Sequence, residues 1–159
     1  MGHEGVWRSN VLRRRFIIAL AIGGVLAIVF SQSALAAHAI YRSGSGSIDP
    51  TYGADLDNGV FNAGIPTGPA NDDVYFDSVS ATKGYLMYNE SAGNKIVRMA
   101  SKPTYATCAS AALGKNRYNL AKNVGRWFCV KTTEGRFARV QLVSAPTNSP
   151  IQINYTTWK

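Results

Sequence analysis

The chain has 159 residues, a formal net charge of +8 and a hydrophobic fraction of 46%, which together indicate one globular domain. These values exclude a disordered or low-complexity chain, and no internal repeat of fixed period is visible. Only two histidines are present, His3 and His38, so mechanisms that need an imidazole as base or metal ligand are largely excluded.

The N-terminal residues 1–36 have the pattern of a secretory signal peptide. Three arginines at 13–15 precede an apolar run at 16–30, and small residues follow around Ala36. A basic region, an apolar region and an A-x-A site are the three parts of such a signal. We expect cleavage after Ala36 or, alternatively, after Ala39, by the general or the twin-arginine export route. The other interpretation is an uncleaved N-terminal membrane anchor.

Residues 37–50 contain an alternation of serine and glycine that is typical of a flexible linker. We therefore expect a single secreted β-rich domain over residues 51–159. Short runs of β-branched and aromatic residues, separated by turn residues, predict seven strands, at 52–56, 74–79, 85–88, 95–100, 127–132, 136–143 and 151–157. The hydrophobic period of two is clearest in the last two runs, which predicts antiparallel strands with one buried face.

Residues 104–113 depart from this pattern and predict a short helix. Thr104 is a suitable N-cap and Gly114 follows the end of the run. Tyr105 and Cys108 lie on one face at helical spacing, so we expect that face to pack over the sheet.

The two cysteines, Cys108 and Cys129, predict a disulfide, because an exported chain folds where thiols oxidise. Such a bridge stabilises a domain by about 3 kcal/mol in the chain-entropy model. A reactive or metal-binding thiol is the alternative, but no other cysteine and no histidine of the expected domain could complete a zinc site. The predicted fold class is α+β, mainly β, with an antiparallel sheet or small sandwich and one short helix linked by a disulfide.

Three stretches together carry a resemblance. They are Tyr105-x-x-Cys108, the run from Phe128 to Ala138, and alternating C-terminal strands that end at Trp158. Residues 51–159 resemble a small cystine-bridged extracytoplasmic domain of exported actinobacterial proteins, similar to C-terminal ectodomains of some bacterial serine/threonine kinases. The resemblance implies a β-rich module without known catalysis, and it assigns no binding residue.

Charge is segregated along the chain. Residues 38–90 contain seven acidic and two basic side chains, whereas residues 91–159 contain eleven basic side chains and one acidic side chain. Basic residues interleaved with aromatic residues can bind polyanions. The candidate anion-binding residues are Lys115, Arg117, Tyr118, Lys122, Arg126 and Trp127. The alternative is a solvated loop whose cations keep the protein soluble.

Five aspartates of the acidic half could supply carboxylate pairs for glycoside hydrolysis or oxygen ligands for calcium. They are Asp55, Asp57, Asp72, Asp73 and Asp77. The stretch at 55–59 misses the calcium-loop pattern, because Gly59 stands where a third oxygen ligand is needed. We interpret these aspartates as turn formers and expect neither a metal nor a cofactor. Motifs of serine hydrolases, phosphate loops and dinucleotide sites do not occur.

These patterns favour a noncatalytic, secreted or envelope-associated module that binds a protein or another surface partner as a monomer. One alternative is recognition of an anionic cell-wall polymer by the segment 115–127. A small carboxylate-type hydrolase is a further alternative. Nucleic acid is not an expected partner, and membrane contact is expected only through an uncleaved anchor.

Overall fold

The structure is a computed structural model that describes residues 38–62, 71–89, 93–146 and 149–159. The signal peptide predicted at residues 1–36 lies outside this part of the chain. In chain order the strands are β1 (Ile40–Ile48), β2 (Gly53–Asp55), β3 (Val60–Phe61), β4 (Val74–Ser80), β5 (Lys83–Tyr88), β6 (Lys95–Met99), β7 (Arg117–Asn119), β8 (Trp127–Lys131), β9 (Phe137–Ser144) and β10 (Ile151–Trp158). One helix, α1 (Tyr105–Ser110), lies between β6 and β7.

The strands form two five-stranded antiparallel sheets. The first has the order β1-β10-β9-β8-β6 and the second the order β3-β2-β4-β5-β7. The predicted mainly β fold with one short helix is therefore confirmed. All seven predicted strands are present, with ends that differ by at most two residues. The sequence analysis missed β1, β3 and β7, of which β3 and β7 are very short.

The flexible linker predicted at residues 37–50 is wrong for most of its length, since Ile40–Ile48 pairs with β10 as an edge strand. The glycines of this strand permit a close approach of aromatic rings. A Cβ atom at Gly46 would clash with the ring of Phe61. The alternation of serine and glycine therefore belongs to a packed strand, and the compact unit begins at His38 rather than near residue 51.

The main core contains apolar side chains from both sheets. Its fully buried members include Ile48, Leu56, Leu86, Ile96, Phe128, Val130, Val140, Leu142, Ile151 and Ile153. Burial of each such side chain contributes about 1.5–3 kcal/mol relative to leaving it exposed. The predicted alternation in β9 is confirmed, because Val140 and Leu142 are buried while Arg139 and Gln141 are partly exposed.

The helix α1 packs on the first sheet through a second, smaller apolar cluster. Thr104 caps the helix, and its Oγ1 accepts a hydrogen bond from the backbone N–H of Thr107 at 3.3 Å. The predicted disulfide between Cys108 and Cys129 is present, and both residues are fully buried beside Trp158. The helix is shorter than predicted, since the backbone becomes extended at Ala111.

The disulfide indicates that the chain folds in an oxidising compartment. Among the described residues, no helix has both the length and the apolar character needed to cross a membrane.

Candidate functional site

Five carboxylates from separate parts of the chain meet at one end of the domain. This carboxylate cluster consists of Asp55, Asp57, Asp72, Asp73 and Glu134. Asp55 ends β2, Asp57 lies in the following turn, Asp72 and Asp73 precede β4, and Glu134 lies in the turn between β8 and β9. Pairing of β2 with β4 brings the first four together, and the turn between β8 and β9 adds the fifth.

Three members of the carboxylate cluster are close enough to bind one ion. One oxygen atom each of Asp55, Asp73 and Glu134 lie within 4.8 Å of one another. Two oxygens that bind the same Ca²⁺ at ~2.4 Å can be at most ~4.8 Å apart. Asp55 and Asp73 are buried, whereas Glu134 is exposed. The group is therefore open to solvent on the side of Glu134.

Backbone amides hold two of these carboxylates in position. Asp55 Oδ1 accepts hydrogen bonds from the N–H groups of Asp57 and Asn58, at 3.0 and 2.9 Å. Asp73 accepts from the N–H groups of Leu56 and Thr133, both at 2.8 Å. The interpretation of Asp55 as a turn former is confirmed, because its carboxylate closes the turn that follows β2.

Asp57 is the least satisfied member of the carboxylate cluster. It is 1% exposed, and neither side-chain oxygen has a hydrogen-bond partner among the described residues. Arg136 Nη1 forms an ion pair with Asp57 Oδ2 at 3.3 Å, outside hydrogen-bond geometry. The Asp57 carboxylate also lies against that of Glu134; burial, followed by this contact, raises the pKa of Asp57 to about 6.

Burial also disfavours the charged forms of the two neighbouring aspartates. It raises the pKa of Asp73 to about 7 and that of Asp72 to about 6, and the nearby charge of Asp55 adds to both shifts. Contact with Asp57 lowers the pKa of Glu134 instead. The carboxylate cluster therefore holds more negative charge than the one described ion pair, from Arg136, can compensate.

Two polar side-chain oxygens beside Asp73 also have no hydrogen-bond partner among the described residues. These are Asp72 Oδ1 and Asn94 Oδ1, and both residues are 2% exposed. Sequence analysis missed Glu134 and Asn94, because neither is near the aspartates in the chain. The arrangement suits a small ion better than a sugar, since Asp55, Asp57, Asp72 and Asp73 are at most 6% exposed.

The candidate anion-binding residues do not form one continuous site. Arg117 forms an ion pair with Asp77, so its charge is compensated. Tyr118 packs against Phe128, and its hydroxyl accepts a hydrogen bond from the backbone N–H of Arg98 at 3.1 Å. Both residues therefore have structural contacts.

Lys115 lies apart from the later residues of the segment 115–127. Its Nζ is 6.0 Å from the ring centre of Tyr88, which ends β5 in the second sheet. Trp127 begins β8 in the first sheet.

Four exposed cations, from β6, from the segment after β6 and from the loop before β8, form what we call the cationic surface, namely Arg98, Lys102, Lys122 and Arg126. Lys102 Nζ is 5.6 Å from the ring centre of Trp127. Arg98 Nη1 donates to Asn123 Oδ1 at 3.3 Å, and the backbone N–H of Arg126 donates to the carbonyl of Asn123 at 3.0 Å. Within the described ranges, none of the four cations forms an ion pair with a carboxylate.

Sequence analysis missed Arg98 and Lys102, because they precede the segment 115–127. Pairing of β6 with β8, where Met99 lies opposite Trp127, brings Lys102 to the Trp127 ring and Arg98 to Asn123 in the loop before β8.

Comparisons of the chain with protein-family models, with curated proteins and with solved structures gave no match. The resemblance to extracytoplasmic actinobacterial domains stays a prediction that depends on its residues alone.

Proposed function

We propose that this domain is an exported, noncatalytic module that binds an anionic polymer of the cell envelope through the cationic surface. The signal-peptide pattern of residues 1–36 and the disulfide support export. The proposal takes up the alternative of an anionic cell-wall polymer and assigns its binding to the cationic surface rather than to the whole segment 115–127.

The observation that carries the proposal is a group of four exposed cations that have no carboxylate partner in the described part of the chain, one of which, Lys102, lies over the ring of Trp127. Exposed cations of one sign attract polyanions, and each Lys or Arg near a negatively charged surface contributes about 1 kcal/mol. The half-buried ring of Trp127 offers a rigid contact for a polymer held by the surrounding charges.

The test measures retention of the purified protein on immobilised heparin, a model polyanion, in a gradient of NaCl. We expect the double variant Lys122→Ala/Arg126→Ala to elute at lower salt and to bind about thirtyfold more weakly, because two cations of the cationic surface are lost at about 1 kcal/mol each. Elution of the unaltered protein at the low salt typical of a neutral protein would contradict the proposal.

The matched control is the double variant Lys95→Ala/Lys131→Ala. These two exposed lysines lie opposite each other on β6 and β8, so the control removes the same charge from another part of the first sheet. We expect it to elute close to the unaltered protein. Equal losses in both double variants would show that net charge, and not the cationic surface, determines retention.

A further inference from the structure

We propose that Asp55, Asp73 and Glu134 bind one calcium ion, beside the buried carboxylate of Asp57. The site is independent of the cationic surface, since β8 lies between Trp127 and the turn that contains Glu134. It replaces the expectation that the aspartates act only as turn formers.

The first argument is geometric. Asp55, Asp73 and Glu134 each place one oxygen within 4.8 Å of the others, which is the spacing that a single ion of this size allows. Two of these carboxylates still have a free lone pair. Asp55 Oδ2 accepts one hydrogen bond, from Asn58 Nδ2, and Asp73 Oδ2 accepts one, from the N–H of Leu56.

The second, independent argument is the carboxylate of Asp57, which is buried and forms no hydrogen bond. It is 1% exposed, neither of its oxygens has a hydrogen-bond partner in the described part of the chain, and it lies against the carboxylate of Glu134. A buried carboxylate without a hydrogen bond is costly, and a second carboxylate in contact adds repulsion. Arg136 compensates one charge at 3.3 Å. A divalent cation between the carboxylates would remove both penalties.

The chemistry of the donors favours calcium. All three proposed ligands are carboxylates, which are hard oxygen donors, and no described histidine or free cysteine lies in the group. Calcium accepts irregular arrangements of six to eight oxygens, whereas magnesium demands near-ideal octahedral geometry. The ligands come from one turn and from residues at the ends of two strands, and such a set is irregular. The exposed side of Glu134 provides an entry route and a place for water ligands.

The experiment uses the complete purified protein with its disulfide intact, first treated with EDTA and then freed of the chelator. Calcium chloride is titrated by calorimetry, and thermal unfolding is followed with and without about 10 mM calcium. We expect a dissociation constant of about 10⁻⁴–10⁻³ M, as is typical of extracellular calcium modules, and a melting temperature that rises by several degrees. Absence of both the binding heat and the temperature shift would overturn the proposal.

Magnesium chloride at the same concentration serves as the ionic-strength control. We expect a clearly smaller shift, because the irregular ligands do not supply an octahedron. An equal shift with magnesium would show screening of the carboxylate cluster rather than a calcium site, and would overturn the assignment.

The variant Glu134→Gln tests the site without disturbing buried residues, because Glu134 is exposed. We expect calcium affinity to fall at least tenfold, while the melting temperature in EDTA does not decrease, since one repulsive charge is removed. The matched control is Asp49→Asn. This variant also removes one negative charge, directly after β1 and outside the proposed ligand group, so it should keep the full calcium response. A calcium response in Glu134→Gln equal to that of the unaltered protein would contradict the proposal.

Discussion

The carboxylate cluster and the cationic surface both concentrate charge of one sign, but they differ in burial. Four of the five carboxylates are buried, whereas all four cations are exposed. Water screens the cations, so the cationic surface needs no internal partner and remains available to a ligand. The buried carboxylates cannot rely on water, so they need amide donors, protons or a metal ion. The comparison shows that an excess of like charge must be compensated within the structure where it is buried, whereas water compensates it where it is exposed.

The largest expected effect comes from the disulfide, which joins α1 to β8, the strand between the two charged regions. We expect the double variant Cys108→Ala/Cys129→Ala to lose about 3 kcal/mol of unfolding free energy. Urea unfolding monitored by tryptophan fluorescence measures this loss. If the disulfide stabilises the whole domain, heparin retention and calcium binding should be lost together as the variant unfolds. Loss of only one of these activities would show that the disulfide stabilises only the region responsible for it.

The next prediction compares the loss of unfolding free energy when one charged side chain is removed from the carboxylate cluster or from the cationic surface. Asp73→Ala removes the acceptor of the Leu56 and Thr133 N–H groups, and we expect it to cost about 2 kcal/mol of unfolding free energy in EDTA. Arg126→Ala removes an exposed charge and should change stability by less than about 0.5 kcal/mol. Equal losses in the two variants, measured by urea unfolding, would remove the distinction between a buried and an exposed charged region.

A smaller effect concerns pH. The pKa of Asp73 is raised to about 7 and those of Asp57 and Asp72 to about 6, from an ordinary value of 3.8. Between about pH 4 and 7 the folded state therefore binds more protons than the unfolded chain, so stability rises as pH falls through this window and is lost as pH rises. The charged groups that face these carboxyls are Asp55, Glu134 and Arg136.

We expect the melting temperature in EDTA to increase between pH 7.5 and pH 5, because the folded state takes up protons at these carboxyls over this range. The exposed cations keep their charge over this range and should contribute nothing to the change. A melting temperature that falls on acidification over the same range would show that the carboxylates are charged and compensated in the folded state.

Local patterns predicted most of the fold. These patterns are the hydrophobic period of two in β9 and β10, the turn residues between strands and the Thr104 cap. Each depends only on neighbours within a few positions, so a single sequence is enough to predict the element. The disulfide followed from having two cysteines in a chain expected to be exported. The strand β1 could not be recognised in this way, because the reason for its glycines is the ring of Phe61 and not a local preference.

The candidate site was predicted only in part. The sequence revealed the aspartates and the basic segment 115–127. The test for a calcium loop gave a negative result, because it examined residues 55–59 alone and could not include ligands from distant parts of the chain. Thr133 donates a hydrogen bond to Asp73 across 60 residues and so brings the adjacent Glu134 to the aspartates, and no local signal reports such a contact. Likewise, Lys102 approaches Trp127 and Arg98 approaches Asn123 only through the pairing of β6 with β8.

The sequence by itself determined seven of the ten described strands, the helix and which cysteines pair, because these depend on short-range preferences and on composition. Only the tertiary structure decided which charges are buried together and which remain in water, because this depends on which distant strands pair. The carboxylates became a site through the meeting of β2, β4 and the turn after β8, and the cations became a surface through β6 and β8.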